Sequence, residues 1–192
     1  VATTPDAGTL SLDEVLWARI QSLPEEPRRL LEVIAVSGQP LRLTEARLSA
    51  TLSVDEQGAM AMLRGGRLIR SSGSTDGEEI ETYHARIRET ILSHLPVDEV
   101  KDLHRRIAIV LESAISKPVE GITDPNIAPS SVTITASADG KSVLLEKQAS
   151  KRFFDLAYHF DAAGDSARAF PYAMAMADQA RSQYALEIAE QL

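Results

Sequence analysis

Cysteine is absent from the 192-residue chain, and aromatic residues make up only 5% of it. Without cysteine the chain can form no disulfide, no thiolate metal site and no cysteine nucleophile. The low aromatic content favours packed helices over a β-sandwich, whose strands prefer aromatic and β-branched residues. No apolar run approaches the ~20 residues that span a bilayer, and residues 1–6 lack the pattern of a signal sequence. We therefore expect a mainly helical, cytoplasmic protein.

Basic residues are also scarce. The chain has 20 lysines and arginines against 28 acidic residues, a net charge of −8. Surfaces that hold nucleic acid usually carry a basic excess, so non-specific DNA or RNA binding is disfavoured. The sequence also lacks a phosphate-binding G-x-x-x-x-G-K-[ST] loop and a G-x-S-x-G nucleophile elbow. We predict that this chain is not an enzyme and holds no cofactor of its own.

Apolar residues recur at helical spacing along the first part of the chain. Residues 1–10 are small and polar and are interpreted as a linker or tail. Ser11 is a good N-cap for a helix with one apolar stripe, and Thr44 and Ser53 are the predicted caps of two later helices. The stripe after Ser11 consists of Leu12, Val15, Leu16, Ile20 and Leu23.

A change of period follows these helices. Residues 68–71 and 80–83 are short extended segments on either side of a glycine-rich turn that contains Asp76-Gly77. This pattern predicts an antiparallel β-hairpin. Three helices followed by a hairpin are typical of a winged-helix domain, in which the hairpin is the wing. Residues 11–116 are therefore predicted to be a winged-helix domain with a C-terminal helical extension.

Residues 117–150 differ in composition from the rest. Pro118, Gly121, Pro125 and Pro129 exclude a regular helix across the first part of this segment. Residues 131–136 alternate valine and isoleucine with threonine, and residues 143–145 could pair back on them. We interpret the segment as a loop insertion with a possible β-hairpin.

The helical pattern resumes at residues 151–192, with Gly164-Asp165 as a helix stop and cap. The residues Phe153, Leu156, Ala157 and Phe160 follow the W-x2-L-G-x2-Y spacing that opens a TPR repeat, with conservative exchanges. This part therefore resembles the start of a TPR-like helical repeat, and its alanines predict close packing of two antiparallel helices. One such repeat cannot bury both of its faces.

Four segments together resemble the region that follows the ATPase domain in STAND-class bacterial signalling proteins. They are Leu16 to Leu41, Tyr83 to Glu89, Leu103 to Ile107, and Leu156 to Asp165. Members of that class are often fused to serine/threonine kinase or adenylate cyclase domains. The resemblance implies a piece of a longer ATPase that binds ATP or ADP. It also implies a winged helix that packs on an upstream nucleotide-binding domain and TPR-like helices that bind protein partners, with neither DNA nor membrane as a partner.

His84 is the position to which the resemblance assigns a role. In STAND proteins a histidine just after the wing, in a Met-His-Asp-like motif, contacts the phosphates of ADP and holds the resting state. Here Tyr83-His84-Ala85 occupies that place, with Ala85 where the family has an acidic residue. A plain strand-end or helix-capping histidine is the other interpretation. The resemblance implies that His84 lies at the surface, at the start of the helix that leads to Ile87 and on the face towards the nucleotide-binding domain.

The residues also raise two other interpretations, a metal site and a DNA-binding domain. The histidines at 84, 94, 104 and 159 do not have the i,i+3 or i,i+4 spacing of ligands on one helix, so no metal site is predicted. A winged-helix DNA-binding transcription regulator is the alternative function. Its recognition helix, at residues 54–64, would begin with two acidic residues and end with a single arginine, which suits DNA poorly.

Overall fold

The computed structural model describes residues 11–52, 56–73, 78–116 and 141–190 of the chain. These residues form eight helices and one small antiparallel sheet, so the protein is mainly α with a β-hairpin, as predicted. The chain divides into two compact units after Leu103. The elements are α1 (Leu12–Gln21), α2 (Glu25–Ser37), β1 (Leu41–Arg42), α3 (Leu43–Ala50), α4 (Glu56–Gly65), β2 (Ile69–Ser72), β3 (Glu79–Thr82), α5 (Ala85–His94), α6 (Val97–Ser116), α7 (Lys141–Ala162) and α8 (Ser166–Glu190).

The first helix begins at a capping box, as its sequence predicts. The Ser11 side chain accepts from the Glu14 amide, and the Glu14 carboxylate accepts from the Ser11 amide. Of the predicted stripe, Ile20 is fully buried, whereas Leu12 is 71% exposed and Val15 49% exposed. The stripe is therefore buried only in part, because periodicity marks a face but does not supply a neighbouring element to cover it.

The second helix is the centre of the first unit. Leu30, Leu31 and Val33 to Val36 lie at successive positions of α2, and all are buried, so the helix is covered on every side. It ends at Gly38, whose φ of 67° is the left-handed conformation that glycine adopts without strain. Arg88 then donates from Nε to the carbonyl oxygen of Ala35 at 3.0 Å, which satisfies one free carbonyl at the helix end.

The sheet has the order β1-β3-β2, with β3 in the middle. Ile69 lies opposite Thr82 and Ser72 opposite Glu79, so the predicted hairpin is confirmed within one residue at each end. Ile80 of β3 is fully buried and pairs with Leu41 of β1. The order α2, β1, α3, α4, β2, β3 is that of a winged-helix domain.

The predicted caps of the two middle helices, α3 and α4, are not confirmed. The third helix is capped at Arg42 rather than Thr44, because Glu45 reaches back to the Arg42 amide at 3.3 Å. The predicted cap at Ser53 lies outside the described residues. Met60 and Leu63 of the fourth helix are buried.

The second unit contains two long helices that pack against each other in antiparallel directions. They are joined by a short turn in which Gly164 has a φ of 80°, and Asp165 caps α8 by accepting from the Arg168 amide. This stop and cap were predicted from the sequence. Leu156 and Phe160 of α7 are fully buried.

The segment predicted as a loop with a possible β-hairpin is only partly described. Residues 117–140 lie outside the described part of the chain. Residues 141–150 are helical, since α7 begins at Lys141, so the pairing of residues 143–145 as a strand was a wrong prediction. Leucine, glutamate, lysine, glutamine and alanine at residues 144–149 are all good helix formers, and they outweigh one β-branched residue.

Candidate functional site

His84 lies at the surface, in the position that the sequence predicts. It is the N-cap of α5, with extended backbone angles and no capping hydrogen bond from its side chain. The residue is exposed, and its ring meets the edge of the Tyr83 ring with the centroids 5.0 Å apart. Because α5 begins at the next residue, the positive end of its dipole lies beside His84. The location is confirmed, and a nucleotide-sensing role stays a prediction.

The candidate recognition helix α4 exposes a mixed set of side chains, with one amide and one arginine among small and apolar residues. Gln57, Ala61 and Met62 are exposed, with Met62 at 45%. Arg64 forms an ion pair with Glu78, which comes just before β3. Reading base edges requires arginine, lysine or amide side chains along such a helix, and this face offers few of them.

The wing neutralises its own basic charge. Arg70 of β2 donates from Nε to Glu81 of β3 at 3.0 Å. Over residues 56–82 the sequence carries five acidic and three basic side chains, a net charge of −2. A phosphate backbone would therefore be repelled by this part of the winged-helix domain.

A polar pocket of about 420 Å³ lies in the first unit, against the stacked rings of Trp17 and His94, whose centroids are 4.4 Å apart. Arg29 contributes a buried Nε without a hydrogen-bond partner, and its guanidinium is 3.7 Å from the Glu25 carboxylate. Three glutamates and two arginines share the lining, so the pocket favours neither anions nor cations. Its lining residues are Trp17, Gln21, Glu25, Arg28, Arg29, Glu32, His94, Leu95, Pro96 and Glu99.

Two histidines meet in the core of the second unit, and sequence reasoning missed this pair. Nδ1 of His104 lies 2.8 Å from Nδ1 of His159, and both side chains are buried. A single Nδ1 proton can bridge the two nitrogens, so one ring donates and the other accepts. Burial, and then the neighbouring His104, lower the pKa of His159 from 6.5 to about 3. The two histidines lie on different helices, and the spacing rule for metal ligands on one helix cannot detect such a pair.

A charged cluster holds α6 to α8. Glu112 accepts from the Tyr172 hydroxyl at 2.7 Å and forms an ion pair with Arg168. The Arg168 guanidinium in turn lies 4.2 Å from the centre of the Phe160 ring. Burial, then the hydrogen bond to Glu112 and its charge, raise the pKa of Tyr172 to about 12. Glu112, Tyr172 and Arg168 are thus partners of one another, which is typical of a cluster that stabilises a fold.

An open apolar groove of about 700 Å³ runs between α7 and α8. Its aromatic residues are exposed: Phe154 is 48% exposed, Tyr158 39% and Phe170 65%. Ala173 and Ala177 were predicted to let the two helices approach closely, yet both are exposed and line this groove instead. The remaining lining residues are Ala157, Asp161, Ser166, Ala169, Met176 and Ala180.

Within the described ranges, no three histidine, aspartate or glutamate side chains converge as metal ligands. Among those same residues, no helix is long and apolar enough to cross a membrane. Comparison with family models, with curated proteins and with solved structures finds no match for this chain.

Proposed function

We propose that this chain is a non-catalytic regulatory and protein-interaction module of a multidomain signalling ATPase of the STAND class. The winged-helix domain packs on the nucleotide-binding domain of the same protein, and the antiparallel helices α7 and α8 receive a protein partner. Nucleotide and partner each favour a different arrangement of the module, so signalling follows from a shift in populations.

The solvent face of α4 carries this proposal. A winged helix that reads DNA places polar and basic side chains along that face. Here Gln57 is the one exposed amide among the described residues of α4, the single arginine is already held by Glu78, and Ala61 and Met62 are exposed beside them. Exposed apolar residues on an element that is otherwise well packed suit contact with another protein surface.

The alternative function is a winged-helix transcription regulator, which the element order favours. Fluorescence anisotropy with labelled duplex libraries separates the two functions. We expect no specific complex at physiological salt, and binding at low salt should be weak because the net charge is −8. Nanomolar binding to one sequence would establish the regulator instead.

The nucleotide-sensing role of His84 can be measured in the full-length parent protein. If His84 donates to a phosphate of ADP in the resting state, His84→Ala should raise the ADP off-rate roughly tenfold to a hundredfold, since a hydrogen bond to a charged group contributes about 1.5–3 kcal/mol. His94→Ala, at the opposite end of the same helix, is the matched control. Equal off-rates in the two variants and the wild type would exclude the role.

A further inference from the structure

The groove between α7 and α8, called the trough below, is lined by small and aromatic side chains. Its floor is made of alanines, since Ala169, Ala173 and Ala177 recur every four residues along α8 and so lie on one face. Phe154 of α7 and Phe170 of α8 also line the groove and are exposed. Small side chains along one face let a second helix approach closely, and the exposed aromatic rings offer apolar area for it to bury.

The groove also selects against an extended peptide. Its lining is apolar except for Asp161, Ser166 and the Tyr158 hydroxyl. Apart from the hydrogen bond that Pro171 of α8 removes, the backbone groups along the two helices are paired within each helix. An extended segment would bury its own N–H and C=O groups without partners. A helix satisfies those groups internally and needs to offer only side chains.

Among the residues that the structure describes, the lining of the groove contains one charged residue, Asp161. Asp161 is exposed, and its carboxylate accepts a long hydrogen bond of 3.5 Å from the Ser166 hydroxyl. Asp165 follows in the turn at the same end. The apolar trough therefore has an acidic end, which complements a lysine or arginine on the occupant.

We propose that the α7–α8 groove binds an amphipathic helix of a partner protein, with an apolar stripe along the trough and a basic residue opposite Asp161. This inference rests on the part of the proposed function that gives α7 and α8 a protein partner, and it names the chemistry of that partner. An anionic lipid does not suit the groove, because its headgroup would meet the Asp161 carboxylate.

Two hydrocarbon-stapled model peptides of the same leucine and alanine stripe test the proposal with the full chain. One carries lysines at both ends of the stripe, and the other carries glutamates there. We expect the lysine peptide to bind more tightly in a calorimetric titration. Phe170→Ser should weaken its binding tenfold or more, as loss of a central aromatic anchor does. Circular dichroism checks that this exposed position tolerates serine.

The charge is tested separately by variants at Asp161. Asp161→Asn should weaken the lysine peptide about threefold, as expected for one exposed ion pair, and Asp161→Lys should reverse the preference towards the glutamate peptide. Glu99→Gln, an exposed carboxylate outside the groove, is the matched control for general attraction to an acidic protein.

Each other outcome overturns a defined part of the inference. Equal binding of both peptides, unchanged in Asp161→Asn, removes the basic partner but leaves the groove as a protein-docking surface, so the proposed function stands. Self-association that Phe170→Ser abolishes, with no peptide bound, makes a second copy the occupant and overturns the partner helix. Absence of both binding and self-association removes the groove as a docking site, and with it the partner-binding part of the proposed function.

Discussion

The buried histidine pair makes the second unit sensitive to acid. His159 is 1% exposed, and its ring nitrogen lies 2.8 Å from that of His104. Burial and the neighbouring His104 lower its pKa from 6.5 to about 3, so the folded protein leaves this ring neutral at pH values where the unfolded chain protonates it. A second proton at the contact would also place an N–H against an N–H and break the hydrogen bond.

The size and sign of the effect follow from proton linkage. Below pH 6.5 the unfolded chain binds more protons than the folded one, so stability falls as the pH falls, until the folded pKa near 3 is reached. Between pH 7.5 and pH 5 this one group costs about 2 kcal/mol, since each pH unit contributes up to about 1.4 kcal/mol. That is a large share of the 5–15 kcal/mol typical of a domain.

Hydrogen exchange measured by mass spectrometry can locate this loss. Peptides covering residues 153–162 should lose protection between pH 7.5 and pH 5, after correction for intrinsic exchange. Peptides covering residues 30–36, which contain no histidine, should change much less. His159→Gln should flatten the pH dependence, whereas His104→Gln should keep most of it because burial is the larger cause. A wild-type protein with flat protection in α7, or a His159→Gln protein as steep as wild type, would refute the reasoning.

Single contacts elsewhere give three more expected outcomes. Gly38→Ala should lower the free energy of unfolding by about 1–3 kcal/mol. The left-handed backbone is strained for alanine, and the new methyl would lie 2.8 Å from the Arg88 guanidinium. An unchanged urea midpoint would contradict this. Ile80→Ala, in the fully buried centre of the wing sheet, should cost about 2–5 kcal/mol, and a loss below 1 kcal/mol in the same assay would argue against that packing. Absorbance titration should find the Tyr172 phenol ionising near pH 12, and Glu112→Gln should lower that value; no change in this variant would exclude Glu112 as a cause.

The elements that could be predicted from sequence are those whose signals are local. The wing was found because residues 74–77 interrupt the apolar pattern with turn residues, so both strands are bounded by the same signal. Gly164 and Asp165 likewise mark a helix stop and cap by their own chemistry. The Thr44 cap failed because the capping preference of a threonine does not by itself fix the start of a helix, and the contact from Glu45 to the Arg42 amide begins α3 earlier.

Burial that depends on a distant element could not be predicted in the same way. Leu12 and Val15 have the right period for a core face, yet they are exposed. The alanines of α8 were expected between two helices, and Ala173 and Ala177 instead line an open groove, because α7 covers the neighbouring face. Periodicity identifies which residues share a face, and tertiary packing decides which face is covered.

The histidine pair was missed for a related reason, although a signal existed. His104 lies beside Leu103 and three residues before Ile107, on the apolar side of α6, and His159 precedes Phe160 in α7. A histidine within the buried face of each of two helices predicts a shared polar contact, because a buried imidazole needs a partner. The test for metal ligands on one helix compared spacings along the chain and so passed over a pair 55 residues apart.

The position of Tyr158 connects the buried pair with the open groove. Its ring meets His104 and His159 edge-on, with centroids 5.5 Å and 5.1 Å away, and it stacks almost parallel to Phe154 at 6.5 Å.

A leucine or methionine pair in place of the histidines could fill the same space without the cost of burying polar rings. Such an apolar pair has no hydrogen bond to fix its orientation. The hydrogen bond between the two imidazoles, by contrast, sets the plane of each ring. Tyr158 packs its ring against both imidazoles, and Tyr158 and Phe154 together line the α7 side of the groove. A wall held in place before binding lowers the entropy lost when a helix docks. On this argument the histidine pair supports one wall of the proposed docking surface from within the core.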